Sequence, residues 1–207
     1  MPSYRSTAFD RWVASFRFRA AMRHIEPGSR VCDVGCGIDG LFLASLAHHA
    51  SFRVGLDYQR VAARMPGASF VRMDITGPFP FADGCFDHVT MLAVIEHLKE
   101  PEAIMGEVFR ILAPGGSVVM TWPGAAVDPL LALLSQAGIV SKEMESHKHE
   151  PRKPPAYWRG VMRGTGFVRP EHRTFELGLN HIVVARKPSA PAMAAAVRAE
   201  ASLAGHG

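Results

Sequence analysis

The stretch Arg30-Val31-Cys32-Asp33-Val34-Gly35-Cys36-Gly37-Ile38-Asp39-Gly40 decides the fold. Residues 30–34 read as a short buried strand, 35–40 as a glycine loop and 41–50 as a helix, in immediate succession. The loop satisfies G-x-G-x-x-G, and Asp57 lies 20 residues beyond Gly37, at the end of the next expected strand. Glycines at these positions let the backbone approach a ligand at a helix N-terminus. An acid on the second strand can bind both hydroxyls of a ribose. The bland alternative is a tight turn with no ligand. Taken alone, the fingerprint does not separate a nicotinamide dinucleotide from another adenosine-bearing cofactor.

Outward from this core the alternation continues. Residues 52–56, 69–73, 86–92 and 117–121 read as strands, with helical segments over 58–65 and 101–112. Ala113-Pro114-Gly115-Gly116 forms the turn before the last of these strands. Strands alternating with helices are βαβ units, and right-handed crossovers give a doubly wound α/β fold: a mostly parallel Rossmann-like sheet with helices on both faces. Upstream, Phe9, Trp12, Val13, Phe16 and Ala20 recur at the spacing of one helix face over 8–25, with Arg11, Arg17 and Arg23 off that stripe. Glu26-Pro27-Gly28 ends this helix. Downstream, Asp128-Pro129 opens a leucine-rich helix, 141–155 is polar and basic, and 156–164 is helical. The runs 167–177 and 181–187 form an antiparallel hairpin. The expected organisation is an N-terminal helix or lid over 1–26 and a domain over 27–188 with a substrate-side insertion at about 123–160. An Ala-rich, frayed tail covers 189–207.

The 207 residues are 48% hydrophobic and 20% charged, with a formal net charge of +4. That composition excludes disordered, collagen-like and coiled-coil chains, and the length suits one domain. Arg is scattered rather than gathered into a stripe, which argues against a nucleic-acid partner. Cys32, Cys36 and Cys85 form no C-x-x-C pair, which points to reduced thiols and to no metal site. No window reaches the roughly 20 apolar residues that cross a bilayer, and no apolar leader opens the sequence. The expectation is a soluble, cytoplasmic protein.

Asp33 separates the cofactor classes. It ends the first strand two residues before the first glycine, aimed at the loop mouth. A dinucleotide would bring a doubly negative pyrophosphate against that carboxylate. S-adenosylmethionine brings an α-ammonium and a sulfonium, which a carboxylate attracts, while its own carboxylate can lie against loop amides.

At this point the sequence resembles the class I S-adenosylmethionine-dependent methyltransferases, of the small type 11 kind. Val31 to Gly37 resembles their first motif and Gly55-Leu56-Asp57 their second. Phe70-Val71-Arg72-Met73-Asp74 resembles the third-strand segment whose acid approaches the adenine amine. Phe79 to Asp87, Val94-Ile95-Glu96-His97-Leu98 and Leu112 to Gly116 resemble the entry to strand four, its "EHL" exit and the turn before strand five. The likeness runs in order from about residue 27 to 122; Asp39 departs from it where many members carry glycine. It implies a seven-stranded sheet with an antiparallel last strand. It also implies S-adenosylmethionine held by Asp33, Gly35, Cys36, Gly37, Gly40, Asp57, Tyr58, Asp74 and Ile75. The expected reaction is methyl transfer to a small-molecule or glycan-related acceptor.

Methyl transfer needs alignment and removal of a proton, so its fingerprint is faint. His97 is the first candidate base, because it follows strand four at the ligand-binding edge of such sheets. His147 and His149 lie in the insertion where substrate contacts fall in this family. Glu96 either pairs with a His or caps the following helix; Asp87 reads as structural. Tyr4 and Trp12 are lid candidates, and Tyr157 and Trp158 are candidates for the acceptor pocket or for plain core. An apolar helix beside a basic loop over 128–153 would also suit a lipid surface, although a cleft cover is the simpler reading. The competing classes are an NAD(P)-binding oxidoreductase, opposed by Asp33, and a non-catalytic protein that keeps the fold for binding.

Overall fold

A computed structural model of the protein describes residues 8–59, 65–98, 100–124, 127 and 153–192. The elements follow in the order α1 (Ala8–Met22), β1 (Arg30–Val34), α2 (Leu41–Ser45), β2 (Phe52–Asp57), β3 (Ala68–Arg72), β4 (Phe86–Leu92), α3 (Pro101–Ile111), β5 (Leu112–Pro123), α4 (Pro155–Thr165), β6 (Val168–Phe175) and β7 (Asn180–Arg186). Single 3₁₀ turns at Ile95–His97 and Glu176–Gly178 follow β4 and β6.

The strands form one seven-stranded sheet of order β3-β2-β1-β4-β5-β7-β6. β1 to β5 run parallel, and β7 pairs antiparallel with both β5 and β6. Parallel pairing needs crossovers: α2 supplies the one from β1 to β2 and α3 the one from β4 to β5, on opposite faces, while residues 73–85 join β3 to β4 without a helix. Along β5, Val118, Met120 and Trp122 join the larger cluster under α3 and α4, while Val119 joins the cluster beneath α1 and α2. The period of two thus divides one strand between two cores. The buried residues of α3 (Ile104, Met105, Val108 and Ile111) recur at one-face spacing, and Pro101 occupies its first turn, where a missing N–H costs nothing. At the far end, the Lys187 ammonium donates to the carbonyls of Phe109 (2.8 Å) and Leu112 (2.7 Å), which closes the last turn of α3 and pins the exit of β7.

Several expectations are met and some are shifted. The seven-stranded, mostly parallel sheet, the reversed β7 and the terminal hairpin match the reading from sequence. The helix expected over 41–50 stops at Ser45 and continues as turns; the Leu46 amide is shared between the Phe42 and Leu43 carbonyls, and the buried Arg53 guanidinium also donates to the Leu43 carbonyl, at 2.7 Å. β5 begins early, at Leu112, because Ala113 to Gly116 loop out as a bulge between the pairs Phe86↔Leu112 and His88↔Ser117. Asp87 is structural: Arg30 holds both of its carboxylate oxygens, at 2.7 and 3.1 Å. Trp158 is core, 2% exposed and facing Trp122, rather than pocket lining. The N-terminal stripe is rotated from the one expected. Ala21 and Ile25 face the core, Phe18 and Met22 pack against the same cluster, and Trp12 is 58% exposed. Residues 1–7, 60–64 and 193–207, the expected helix at 128–138 and most of the basic stretch lie outside the described residues.

β1, β2, β4 and β5 end together at one edge of the sheet, and β7 starts there, since Pro123 pairs with Asn180. Two loops meet above it. Gly35 has φ +76°, and a Cβ built there would lie 2.4 Å from Cγ2 of Val94, in the turn after β4. The prediction is that Gly35→Ala lowers stability by about 2–4 kcal/mol from backbone strain plus overpacking, measured by urea denaturation. Val94→Ala in the same chain should restore only the packing part. An unchanged midpoint in Gly35→Ala would show that the two loops do not interlock.

Candidate active site

The glycine loop is fastened from below. The amides of Gly35 and Cys36 both donate to the carbonyl of Leu56, at 2.7 and 3.1 Å, so the loop entrance is tied to β2. The Gly37 amide donates to Oδ2 of Asp57 at 2.9 Å, and the Gln59 amide donates to Oδ1 of the same carboxylate at 2.8 Å. Asp57 therefore holds the loop on one side and its own following turn on the other. A carboxylate has about four acceptor positions, so one on each oxygen is left for a ligand. Gly37 has φ +69° and is exposed, with open space where a Cβ would stand. This is a surface that backbone alone presents.

Asp33 lies beneath this loop instead of opening into its mouth. It is 2% exposed, and Oδ1 accepts a 2.6 Å hydrogen bond from the Thr90 hydroxyl on β4. Burial, and to a lesser degree the charge of Asp57, push its carboxyl up to about 7, against the lowering effect of Thr90. The sequence places Asp33 at the right strand end, but its depth depends on how α1, α2 and β4 cover it. The site thus carries two carboxyls with no cationic partner of their own at hydrogen-bonding distance among the described residues. Such a pair suits a ligand that brings positive charge and hydroxyl donors, and it repels a pyrophosphate.

The other expected cofactor residues surround this centre. Cys36 is buried, and burial pushes its thiol well above the ordinary range, so it acts as packing rather than as a nucleophile. Its sulfur lies where a Cβ on Gly55 would collide, at 2.5 Å. Gly40 is buried with φ +55° against the Phe70 ring. Tyr58 is 68% exposed just past β2. Asp74, exposed after β3, accepts from the Thr76 amide (3.0 Å) and hydroxyl (2.8 Å); these bonds hold its carboxyl below the usual range. Ile75 is half-buried against the larger core cluster. Asp39 is half-buried in the loop.

Of the candidate bases, His97 is exposed in the 3₁₀ turn after β4, at the same sheet edge. His147, His149 and Tyr4 lie outside the described residues. Residues that reading the sequence missed also gather at this edge. The Arg17 guanidinium comes down from α1 on the same stripe as Ala21 and Ile25, and the charges of Glu96 and Glu176 face it. Glu176 holds the side-chain amide of Asn180. Only Thr90 had a usable signal, as a polar residue inside an otherwise apolar strand.

Residues 32–120 match the methyltransferase-domain family. Sterol 24-C-methyltransferase of Schizosaccharomyces pombe is 35% identical over 126 residues, covering 55% of this chain and 33% of that protein. Phthiotriol/phenolphthiotriol dimycocerosates methyltransferase 1 of Mycobacterium ulcerans is 30% identical over 171 residues, covering 69% of this chain and 62% of that one. The chain thus spans about a third of the sterol enzyme's length and under two thirds of the mycobacterial one's. Among solved structures, Haemonchus contortus phosphoethanolamine N-methyltransferase 2, in complex with S-adenosylhomocysteine, superposes with a TM-score of 0.63 at 17% identity, over 87% of this chain and 54% of that one. At that identity the likeness is one of fold.

The raised Asp33 carboxyl has a consequence for stability. Its folded-state value of about 7 exceeds the ordinary 3.8, so the folded chain keeps a proton that the unfolded chain has lost. This contribution is full below about pH 4 and disappears as pH rises through 7. Relative to Asp33→Asn, the wild-type chain should lose about 2–4 kcal/mol between those limits, read from denaturation midpoints across pH. Parallel pH profiles for the two proteins would contradict the assignment.

Proposed function

Because the chain belongs to the class I S-adenosylmethionine-dependent methyltransferases, we propose that it transfers a methyl group from S-adenosylmethionine to a small-molecule acceptor at the carboxyl edge of the sheet. The observation that carries this reading is the pair of buried acids around an open glycine turn: Asp33 beneath the loop and Asp57 tied to Gly37. These residues fit the cofactor. The remaining acceptor positions of Asp57 receive the ribose hydroxyls. Asp33 would place negative potential beneath the α-ammonium, whose positive charge would favour the ionised form of the carboxyl and release its proton to solvent. Tyr58 and Ile75 border the adenine, with Asp74 offering its second oxygen to the exocyclic amine. When bound, S-adenosylmethionine supplies a methyl carbon already activated by its sulfonium.

The chain itself aligns the acceptor, excludes water and takes a proton. His97 stands at the right edge for proton transfer, and His147 and His149 join it as candidates on the segment expected to cover the acceptor. The names of the sterol and dimycocerosate relatives support an apolar acceptor here. A nicotinamide reading is disfavoured by the same acids, which would face a doubly negative pyrophosphate. Three free cysteines, two of them buried, offer no alternative chemistry.

Calorimetric titration tests the cofactor. S-adenosylhomocysteine should bind in the micromolar range while NAD and NADP do not. Asp57→Ala should weaken that binding by about 1–3 kcal/mol, as lost hydrogen bonds to a charged group do. Near pH 6.5 the binding should release a proton, seen as a dependence on buffer ionisation enthalpy that Asp33→Asn abolishes. Binding of a dinucleotide alone would replace this reading with the oxidoreductase one, and no binding of any of the three would favour a non-catalytic role.

A further inference from the structure

The return of the chain through β6 and β7 brings three buried polar groups to the corner where β5, β7 and α1 meet. Thr121 is fully buried, and Asn180 is 5% exposed. They project from the same sheet face, since Thr121 pairs with Ile182 and Pro123 with Asn180. Glu176 precedes them in the turn after β6. Among the described residues, Thr121 Oγ1, Asn180 Oδ1 and Glu176 Oε1 are buried without a hydrogen-bond partner. A buried polar atom left unpaired costs about 1–3 kcal/mol, and three in one corner is more than an ordinary core tolerates.

Two further observations concern the same corner. Glu176 and Leu177 both adopt left-handed backbone, with φ +52° and +55°, and Leu177 is fully exposed. Consecutive non-glycine residues in that region cost about 1–3 kcal/mol each and persist where the fold requires an aimed side chain. The Arg17 guanidinium faces Glu96 and Glu176 through charge, which sets a cation beside the corner.

We infer that Glu176, Asn180 and Thr121, with Arg17 opposite, form the polar end of the acceptor site, that the acceptor presents a neutral hydroxyl there, and that Glu176 accepts its proton. This rests on the methyltransferase reading and adds the acceptor class and, in place of His97, His147 or His149, the base. The Glu176 carboxylate, with its unpaired oxygen aimed into the corner, repels a phosphate or carboxylate at the same point. A protonated amine can donate but has no lone pair for Arg17 or for the methyl carbon. A hydroxyl both accepts from Arg17 and donates to the unpaired oxygens. In the reaction the hydroxyl oxygen bonds to the methyl carbon as the carbon–sulfur bond breaks, with its electron pair passing to sulfur. The O–H proton goes to Oε1 of Glu176. Desolvation raises that carboxyl from its ordinary value, which makes it a stronger base than an exposed glutamate.

The test uses the full chain loaded with S-adenosylhomocysteine and saturation-transfer NMR against catechol, cyclohexanol, methyl glucoside, benzylamine and phenyl phosphate. Tritium transfer from labelled S-adenosylmethionine to the same five follows. At least one hydroxyl compound should bind and be methylated on oxygen. Glu176→Gln should bind S-adenosylhomocysteine as wild type does, lose about 10²–10⁴-fold in kcat and lose the acidic limb of the pH–rate profile. Thr121→Val should raise KM and weaken the NMR-detected binding with little change in kcat. The inference is overturned if the cofactor product binds but no hydroxyl compound is bound or methylated, if transfer goes to the amine or phosphate, or if Glu176→Gln keeps wild-type kcat. It is overturned equally if both variants alter only the melting temperature, as they would if the corner merely enclosed water. Failure to bind S-adenosylhomocysteine at all overturns the methyltransferase reading beneath it.

Discussion

The Asp57 carboxylate grips two backbone amides at once, Gly37 on the glycine loop and Gln59 on the turn beyond β2. Most of the site follows from that constraint. With Gly35 and Cys36 tied to the Leu56 carbonyl, the loop has three fastenings to one neighbouring strand and none that needs a ligand. Its shape is therefore set before anything binds, which spares a cofactor the entropy of ordering it. The same carboxylate keeps acceptor capacity toward the open side. Loop position and ligand recognition thus depend on one side chain, and a substitution there disturbs both.

Placing acids this way has an electrostatic cost that accounts for the position of Asp33. Burial chiefly, and the charge of Asp57 to a smaller degree, disfavour ionisation of the deeper of the two acids. The deeper one, held by Thr90, takes the raised value of about 7. An apo protein with a half-protonated buried acid under its loop is less stable at neutral pH than its core would allow. A positively charged ligand removes that penalty. The charge arrangement is thereby selective as well as attractive, because an anionic dinucleotide would increase the strain it finds.

Much of the architecture could be read from residues near one another in sequence. The glycine loop, the β–α alternation and the final hairpin are local patterns, and each formed as expected. Boundaries moved, as where α2 stopped short and Arg53 donates to the Leu43 carbonyl. The inward face of α1 was misread because Trp12 and Phe16 look like core, yet the sheet beneath accepts Ala21 and Ile25. That rotation turned Arg17 from a solvated residue into one facing two carboxylates. The depth of Asp33 was equally invisible, since it depends on Thr90, 57 residues away.

The corner formed by Thr121, Glu176 and Asn180 shows why such a site escapes sequence reading. These residues lie on β5, the 3₁₀ turn after β6 and the start of β7, and only the reversed pairing of β7 with β5 makes them neighbours. Had β7 run parallel, Asn180 would sit at the opposite edge of the sheet, beside the Arg30–Asp87 pair instead of the cofactor loop. The antiparallel last strand is usually regarded as a feature of topology alone. Here it delivers a carboxylate and an amide to the edge where β1, β2 and β4 already present the glycine loop and its two acids, and it does so from the far end of the chain. The glycine-loop half of this edge is thus built from the first strands and the polar corner from the last, with α1 lying across both.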